Sequence, residues 1–263
     1  MSYPWIIDID SADDPRKGIK IAHIISGNDG DVCNSCVTYH LLSGDEPKYC
    51  IDIGVDEGWW SFFATSVNPN CKVDAFEPNP VSYKALLPYL VEQNQITLYN
   101  LAISDCEGGT IPFSIEGGQS NSRSHSEYMV PCTRLDKYIR KPVSLIKIDT
   151  EGHEMVILKT LRPYLDNIEA IIFEFSVYWY GTSKGECVSV ALEEITFLKS
   201  HYNYMYVLSR RGNPEVYEII DYDEIYEFIV ESYDLQKQVD IVVCNKPITV
   251  AVEAAQSNLL SCV

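Results

Sequence analysis

The run SLIKIDTEGHEMVIL, residues 144–158, sets Lys147, Asp149, Glu151, His153 and Glu154 around the junction between an apolar stretch and one of helical period. Ionisable groups gathered at a strand end can align an oxygen with an electrophile and remove its proton. His153 is the first candidate for that base and Asp149 the second, with Lys147 and Glu151 lining the same place. The next apolar run, AIIFEFS, contributes Glu174. Asp149 and Glu174 together are a candidate site for a divalent ion that would hold adjacent oxygens and lower their pKa. Their hard oxygen ligands favour magnesium or manganese over zinc. The competing reading is that these acids cap helices or pair with Lys147.

A second group of residues has the spacing of a nucleotide site. In YCIDIGVDEGWW a strand ends in Asp52, followed by Gly54 and then Gly58 as a helix begins. Glycines there let the backbone turn tightly and approach a ligand, with helix N–H groups aimed at it. The spacing lacks the extra glycine of a pyrophosphate cradle, and an acid before the first glycine suits a cationic methionine moiety. DAFEPNP places Glu77 at the end of the next strand, where a fixed carboxylate can accept both ribose hydroxyls, and Asn79 where it can cap a helix. Alone, E-P-N reads better as a turn and a helix start; the glycine turn is what favours the nucleotide. In LYNLAISD a strand ends in the small residues Ala102 and Ser104 before Asp105, which would admit an adenine face and meet its amine.

Strands must carry these residues to one edge. Val-, Ile- and Tyr-rich runs alternate with helical periods, the pattern of a parallel sheet wound with helices. Strands are expected at 48–53, 72–76, 96–102, 143–148, 170–175, 204–209 and 239–244, and helices at 59–66, 80–92, 154–161 and 188–200. The segment before the last strand is long enough to bring it back antiparallel between earlier ones. GGQSNSRSHS, residues 117–126, reads as an inserted hairpin or mobile loop. Residues 1–45 read as an N-terminal cap with a helix over 32–42, and 46–263 as the main domain. The CNSC segment within that cap, Cys33 to Cys36, reads as packing, because one pair without a second is a weak redox or metal signal.

Composition limits the partners. A formal charge of −18 disfavours nucleic acid and anionic membrane surfaces, since both attract Lys and Arg. No apolar run reaches the ~18 residues of a membrane span, and no basic-then-apolar leader opens the chain. Nine scattered cysteines read as reduced thiols, so a cytoplasmic location is expected.

The pieces IDIGVDEGWWSFFA, AFEPNP, LAISD, CTRLDKYI, LIKIDTEGHEMVIL and IIFEFS, in that order, resemble the FkbM family of methyltransferases over residues 49–175. K-I-D-T-E-G-H-E is the most specific of them. The resemblance implies a Rossmann-like α/β class I methyltransferase fold: a seven-stranded, mostly parallel sheet with its last strand antiparallel and helices on both faces. It also implies S-adenosylmethionine as donor and O-methylation of a sugar or polyketide-type hydroxyl. Carried over by motif, Asp52, Gly54, Gly58 and Glu77 would bind the donor, while Lys147, Asp149, Glu151 and His153 would line the transfer site. Val55 and Asp56 depart from the Ala-Asn of many relatives, and Trp59 and Trp60 are bulky additions that read as packing. A carbohydrate or similar small-molecule acceptor is expected, with Tyr178, Trp179 and Tyr180 suited either to stacking on sugar rings or to the core. Two other readings compete: a catalytically silent donor-binding subunit, and a nicotinamide-dependent oxidoreductase, which the missing pyrophosphate glycines disfavour. The N-terminal segment and the late Tyr-rich segment are candidate surfaces for a homodimer.

Overall fold

The computed structural model describes residues 32–90, 94–114, 128–139, 141–209, 216–219 and 221–248. Most of the expected cap, the GGQSNSRSHS loop and part of the late Tyr-rich segment lie outside the described residues. The first half of the chain forms α1 (Val32–Leu42), β1 (Lys48–Ile53), α2 (Trp59–Val67), β2 (Cys71–Phe76), α3 (Pro80–Leu90), β3 (Ile96–Tyr99), β4 (Ala102–Ile103), β5 (Thr110–Phe113) and β6 (Tyr128–Thr133). The second half forms β7 (Leu145–Ile148), α4 (Glu154–Leu161), β8 (Ala170–Phe175), α5 (Lys184–His201), β9 (Tyr204–Ser209), β10 (Val216–Glu218), α6 (Tyr222–Asp234) and β11 (Val239–Cys244). No helix among the described residues is long and apolar enough to cross a membrane.

The main sheet runs β10-β9-β11-β8-β7-β1-β2-β3. β3, β2, β1, β7 and β8 are parallel, and β11 returns antiparallel between β8 and β9. This is the class I methyltransferase arrangement that the resemblance implied. Strands β7, β8 and β11 are buried along their whole length, which explains their near-continuous apolar sequences: both faces are covered. One core layer contains Ile51, Ile53, Ile146, Ile148, Phe173 and Ile241, and the other contains Cys50, Leu145, Ile172 and Val242. α1 contributes Cys33, Val37 and Leu42 to the second layer, so this helix packs into the main domain's core. Cys33 and Cys36 are both buried, and burial pushes the Cys36 thiol up to about 12, which suits packing rather than redox chemistry.

Three expectations need correction. The sheet has an eighth strand: Val216–Glu218 pairs antiparallel with β9 at the edge. Its side chains are largely exposed, so it lacks the apolar alternation that marks a strand. The strand expected over 96–102 divides, with β3 ending at Tyr99 and β4 joining a small sheet, β4-β6-β5. Between them the Asn100 side chain donates to the carbonyls of Glu77 and Pro78, at 2.8 and 3.1 Å, and ties the turn to the end of β2. Finally, Cys106 and Cys132 form a disulfide where reduced thiols were expected. The parallel pairing of Ala102 with Cys132 delivers the following Cys106 to its partner.

Candidate active site

The order of strands reverses at β1, whose neighbours are β2 on one side and β7 on the other, and clefts form beyond the carboxyl ends at such a point. The bend after β1 lies there. Gly54 has φ +82°, its N–H donates to the Phe76 carbonyl at 3.0 Å, and a Cβ on it would sit 1.7 Å from the Asp149 carbonyl oxygen. The glycine is therefore required by the end of β7 pressing on the bend. Gly58, also at φ +82°, starts α2. Between them Asp56 has φ +48°.

Beneath the bend, Asp52 is fully buried and accepts from Ser61 Oγ at 2.6 Å. Lys147 Nζ stands 3.8 Å from Asp52 Oδ1 and 3.6 Å from Asp149 Oδ2, and donates to the Gly54 carbonyl at 3.3 Å. The register pairs Asp52 with Lys147 across β1 and β7, which puts both on one face. Burial pushes the Asp52 carboxyl up, while Lys147 and Ser61 oppose the shift. Asp52, whose charge was expected to suit a cationic methionine moiety, lies enclosed under the bend beside Lys147.

Glu77 leaves β2 toward the same bend. Its two carboxylate oxygens accept from the backbone N–H groups of Asp56 and Asn79, each at 2.7 Å. Burial pushes its carboxyl up to about 7, against those two amides and with the like charges of Asp56 and Asp52. Asn79 accepts from Val81 N–H at 2.9 Å and so caps α3.

The loop from Asp149 to His153 is shaped by Glu154, a fully buried carboxylate at the start of α4. It accepts from Thr150 N–H and Oγ, each at 2.8 Å, and from Gly152 N–H at 3.1 Å. This holds Glu151 at φ +54° and Gly152 at φ +105°, where Trp179 packs so closely that a Cβ on Gly152 would lie 3.1 Å from it. Carboxylate oxygens of Asp149, Glu151 and Glu174 come within 4.8 Å of one another. Glu174 also faces the buried Asp240 across the β8–β11 ladder, and it accepts from Ser176 Oγ at 3.0 Å. Burial, and then the Glu174 charge, push up the Tyr178 hydroxyl, whose ring meets Trp179 at 5.3 Å.

His153 begins α4 and places Nε2 3.0 Å from Ser104 Oγ. Ser104 donates to Asp105 Oδ1 at 3.2 Å. Thus Ser104, expected beside adenine, meets His153, and Ala102 is packed with Phe113, Val130 and Cys132 in the small sheet. Lys147, Asp149, Glu151 and Glu174 do converge beside the glycine bend. Ser61, Asp240 and the loop-holding role of Glu154 were not anticipated. A buried lysine in LIKI signals a counter-charge, but naming Asp52 required the strand order.

Sequence comparison with curated proteins gives no match. Similar solved structures include a precorrin-6y C5,15-methyltransferase from Geobacter metallireducens GS-15: 14% identity, 81% of this chain, 87% of that one, TM-score 0.41. An rRNA methylase from Streptococcus thermophilus has 13% identity over 81% of this chain and 95% of that one, with a TM-score of 0.46. The methyltransferase FkbM domain matches residues 45–228, spanning every strand from β1 to β10 and all the groups around the bend, and the chain belongs to that family of S-adenosylmethionine-dependent methyltransferases.

Proposed function

We propose that the protein methylates a hydroxyl of a sugar or glycan. The observation that carries this reading is the convergence of Lys147, Asp149, Glu151 and Glu174 at the ends of β7 and β8, beside the bend after β1. S-adenosylmethionine supplies an electrophilic methyl group that needs no further activation. The residues present fit it: the glycine bend brings the end of β1 beside Glu77, and each Glu77 oxygen keeps a lone pair for a ribose hydroxyl. Asn79 fixes the turn beside Glu77, Asp105 borders the adenine end, and Asp52 acts through Lys147. On the reaction side, His153 takes the acceptor's proton as the oxygen attacks, and the acids hold and orient the acceptor. Trp179 and Tyr178 border the acids and offer aromatic faces to a sugar ring.

Isothermal titration with S-adenosylhomocysteine should show binding, and labelled methyl should pass to a member of a saccharide panel. Transfer to catechols or polyketide hydroxyls but to no saccharide would sink the carbohydrate reading.

Product affinity should depend on pH through Glu77. Its folded pKa is raised from 4.5 to about 7, so folding favours the protonated form, and this group's contribution to stability is lost as pH rises through that window. Ribose hydroxyls donate to the ionised form, so affinity for S-adenosylhomocysteine rises with pH. Between pH 6 and 8 the gain is about tenfold and a proton is released on binding. Calorimetry in buffers of different ionisation enthalpy measures both, and Glu77→Gln should flatten the profile.

Asp149 and Glu174, with Glu151 as third oxygen donor, fit a magnesium or manganese ion. There the ion would also relieve the repulsion between Glu174 and Asp240. Chelator treatment is expected to lower turnover by at least about tenfold, restored by either ion. Turnover indifferent to chelator would remove the metal.

A further inference from the structure

We infer that Asn34 is a positioning residue of the acid cluster, acting through Asp240 on Glu174, so that α1 serves the site as well as the core. α1 and β11 both lie outside residues 45–228, the stretch that matches the family, yet they meet beside Glu174, which lies within it. Asn34 Nδ2 donates to Asp240 Oδ2 at 3.0 Å, and both residues are 3% exposed. Asp240 stands opposite Glu174 in the β8–β11 ladder. Two places along those strands, Val242 and Ile172 pack in the core layer that contains α1, and the alternation of side chains turns Asp240 and Glu174 to the same face. Like charges directly opposite each other repel, so where the Asp240 carboxylate is held bears on where Glu174 stands.

Asn34 is itself held from the donor side. The Trp60 indole N–H donates to Thr38 Oγ1 at 3.1 Å, and Thr38 donates to Asn34 Oδ1 at 3.2 Å. Trp60 belongs to α2, the helix that follows the glycine bend, and both Trp60 and Thr38 are buried. A carboxylate only accepts and an indole N–H only donates, so the two ends of this chain orient the amide: nitrogen toward Asp240, oxygen toward the Thr38 hydroxyl. The chain gives the second tryptophan-pair residue a role beyond packing and runs from the donor helix to the acids. The inference rests on the reading that Asp149, Glu151 and Glu174 hold a divalent ion for the acceptor. Without the Asn34 amide, an ion must order Asp240 and Glu174 as it binds, and its affinity falls by that cost. A helix that only filled the core would make no demand on ion affinity.

The probe is Mn²⁺ alone, titrated into the full chain without donor or acceptor and followed by electron paramagnetic resonance, beside crystal structures of the ion-free protein. Asn34→Leu, close in volume, should weaken Mn²⁺ binding about tenfold and displace the Glu174 carboxylate from Asp149 and Glu151, with affinity for S-adenosylhomocysteine within about twofold of wild type. In an Asp240→Asn background, which has no charge to set against Glu174, the same replacement should change neither readout. Thr38→Val, a milder change that frees the Asn34 oxygen, should act in the same direction, and Thr38→Ser should match the wild type; this pair carries the test if Asn34→Leu does not fold. A Glu174 carboxylate in its wild-type place in Asn34→Leu, or in Thr38→Val where only that variant folds, overturns the proposal. So does an equal effect of Asn34→Leu with and without the Asp240 charge. If the wild type binds no Mn²⁺ but Glu174 moves in the variants only while Asp240 is charged, the metal reading fails and the positioning stands.

Discussion

His153→Ala is expected to lower kcat by about 10²- to 10³-fold while leaving affinity for S-adenosylhomocysteine within about twofold of wild type. General bases contribute on this scale, and several features of the site keep the loss confined to chemistry. The imidazole makes no side-chain cap bond, so its removal costs α4 no capping interaction. Ser104 keeps Asp105 as its partner, so no buried hydroxyl is stranded. The bend and Glu77 are held by Asp56, Asn79 and Phe76 backbone contacts that do not pass through His153. Turnover and calorimetry on the same preparation decide the matter. Wild-type kcat would remove His153 as base and pass the role to Asp149, whereas weakened product binding would place the ring in the donor seat.

The legible parts of this molecule are those whose cause is local. β8 and β11 coincide with runs that are apolar because both faces are covered. β10 escaped because three edge residues bury little, and the split of the third strand escaped because it depends on one asparagine reaching carbonyls at the end of another strand. The same limit governs the site. The motif spacing brings attention to Asp52, Gly54, Glu77 and the D-T-E-G-H-E cluster, but which way each side chain faces depends on strand register. Register pairs Asp52 with Lys147 and Glu174 with Asp240, four residues from distant parts of the sequence that share one buried face. The end of β4 likewise brings Ser104 to His153, a contact the motif spacing does not announce. The disulfide follows the same rule, since Cys106 and Cys132 meet only once β4 pairs with β6.

Gly54→Ala should have the largest effect on folding and on donor binding together. The positive φ alone costs an L-residue about 1–2 kcal/mol. The greater penalty is steric: the new methyl would lie 1.7 Å from the Asp149 carbonyl oxygen and 2.8 Å from its carbonyl carbon. Those atoms are backbone at the end of β7, held by Asp149 N–H donating to the Ile53 carbonyl at 2.9 Å, so no side-chain rotation relieves the clash. Either the bend lifts from β7, breaking the Lys147 bond to the Gly54 carbonyl, or β7 shifts against β1. Both routes uncover the Asp52–Lys147 pair, whose burial is tolerable only while the two stay matched. A total loss of about 4 kcal/mol or more is expected, a fall in Tm of at least roughly 8 °C, with product affinity reduced at least about 100-fold in whatever remains folded. Gly58→Ala provides the contrast. It has the same φ, but its methyl would meet the Leu86 and Phe62 side chains at 3.0 and 3.3 Å, which can yield. Its Tm should therefore fall by less than half as much. Equal losses in the two variants would show that backbone conformation, and not the contact with β7, makes the first glycine necessary.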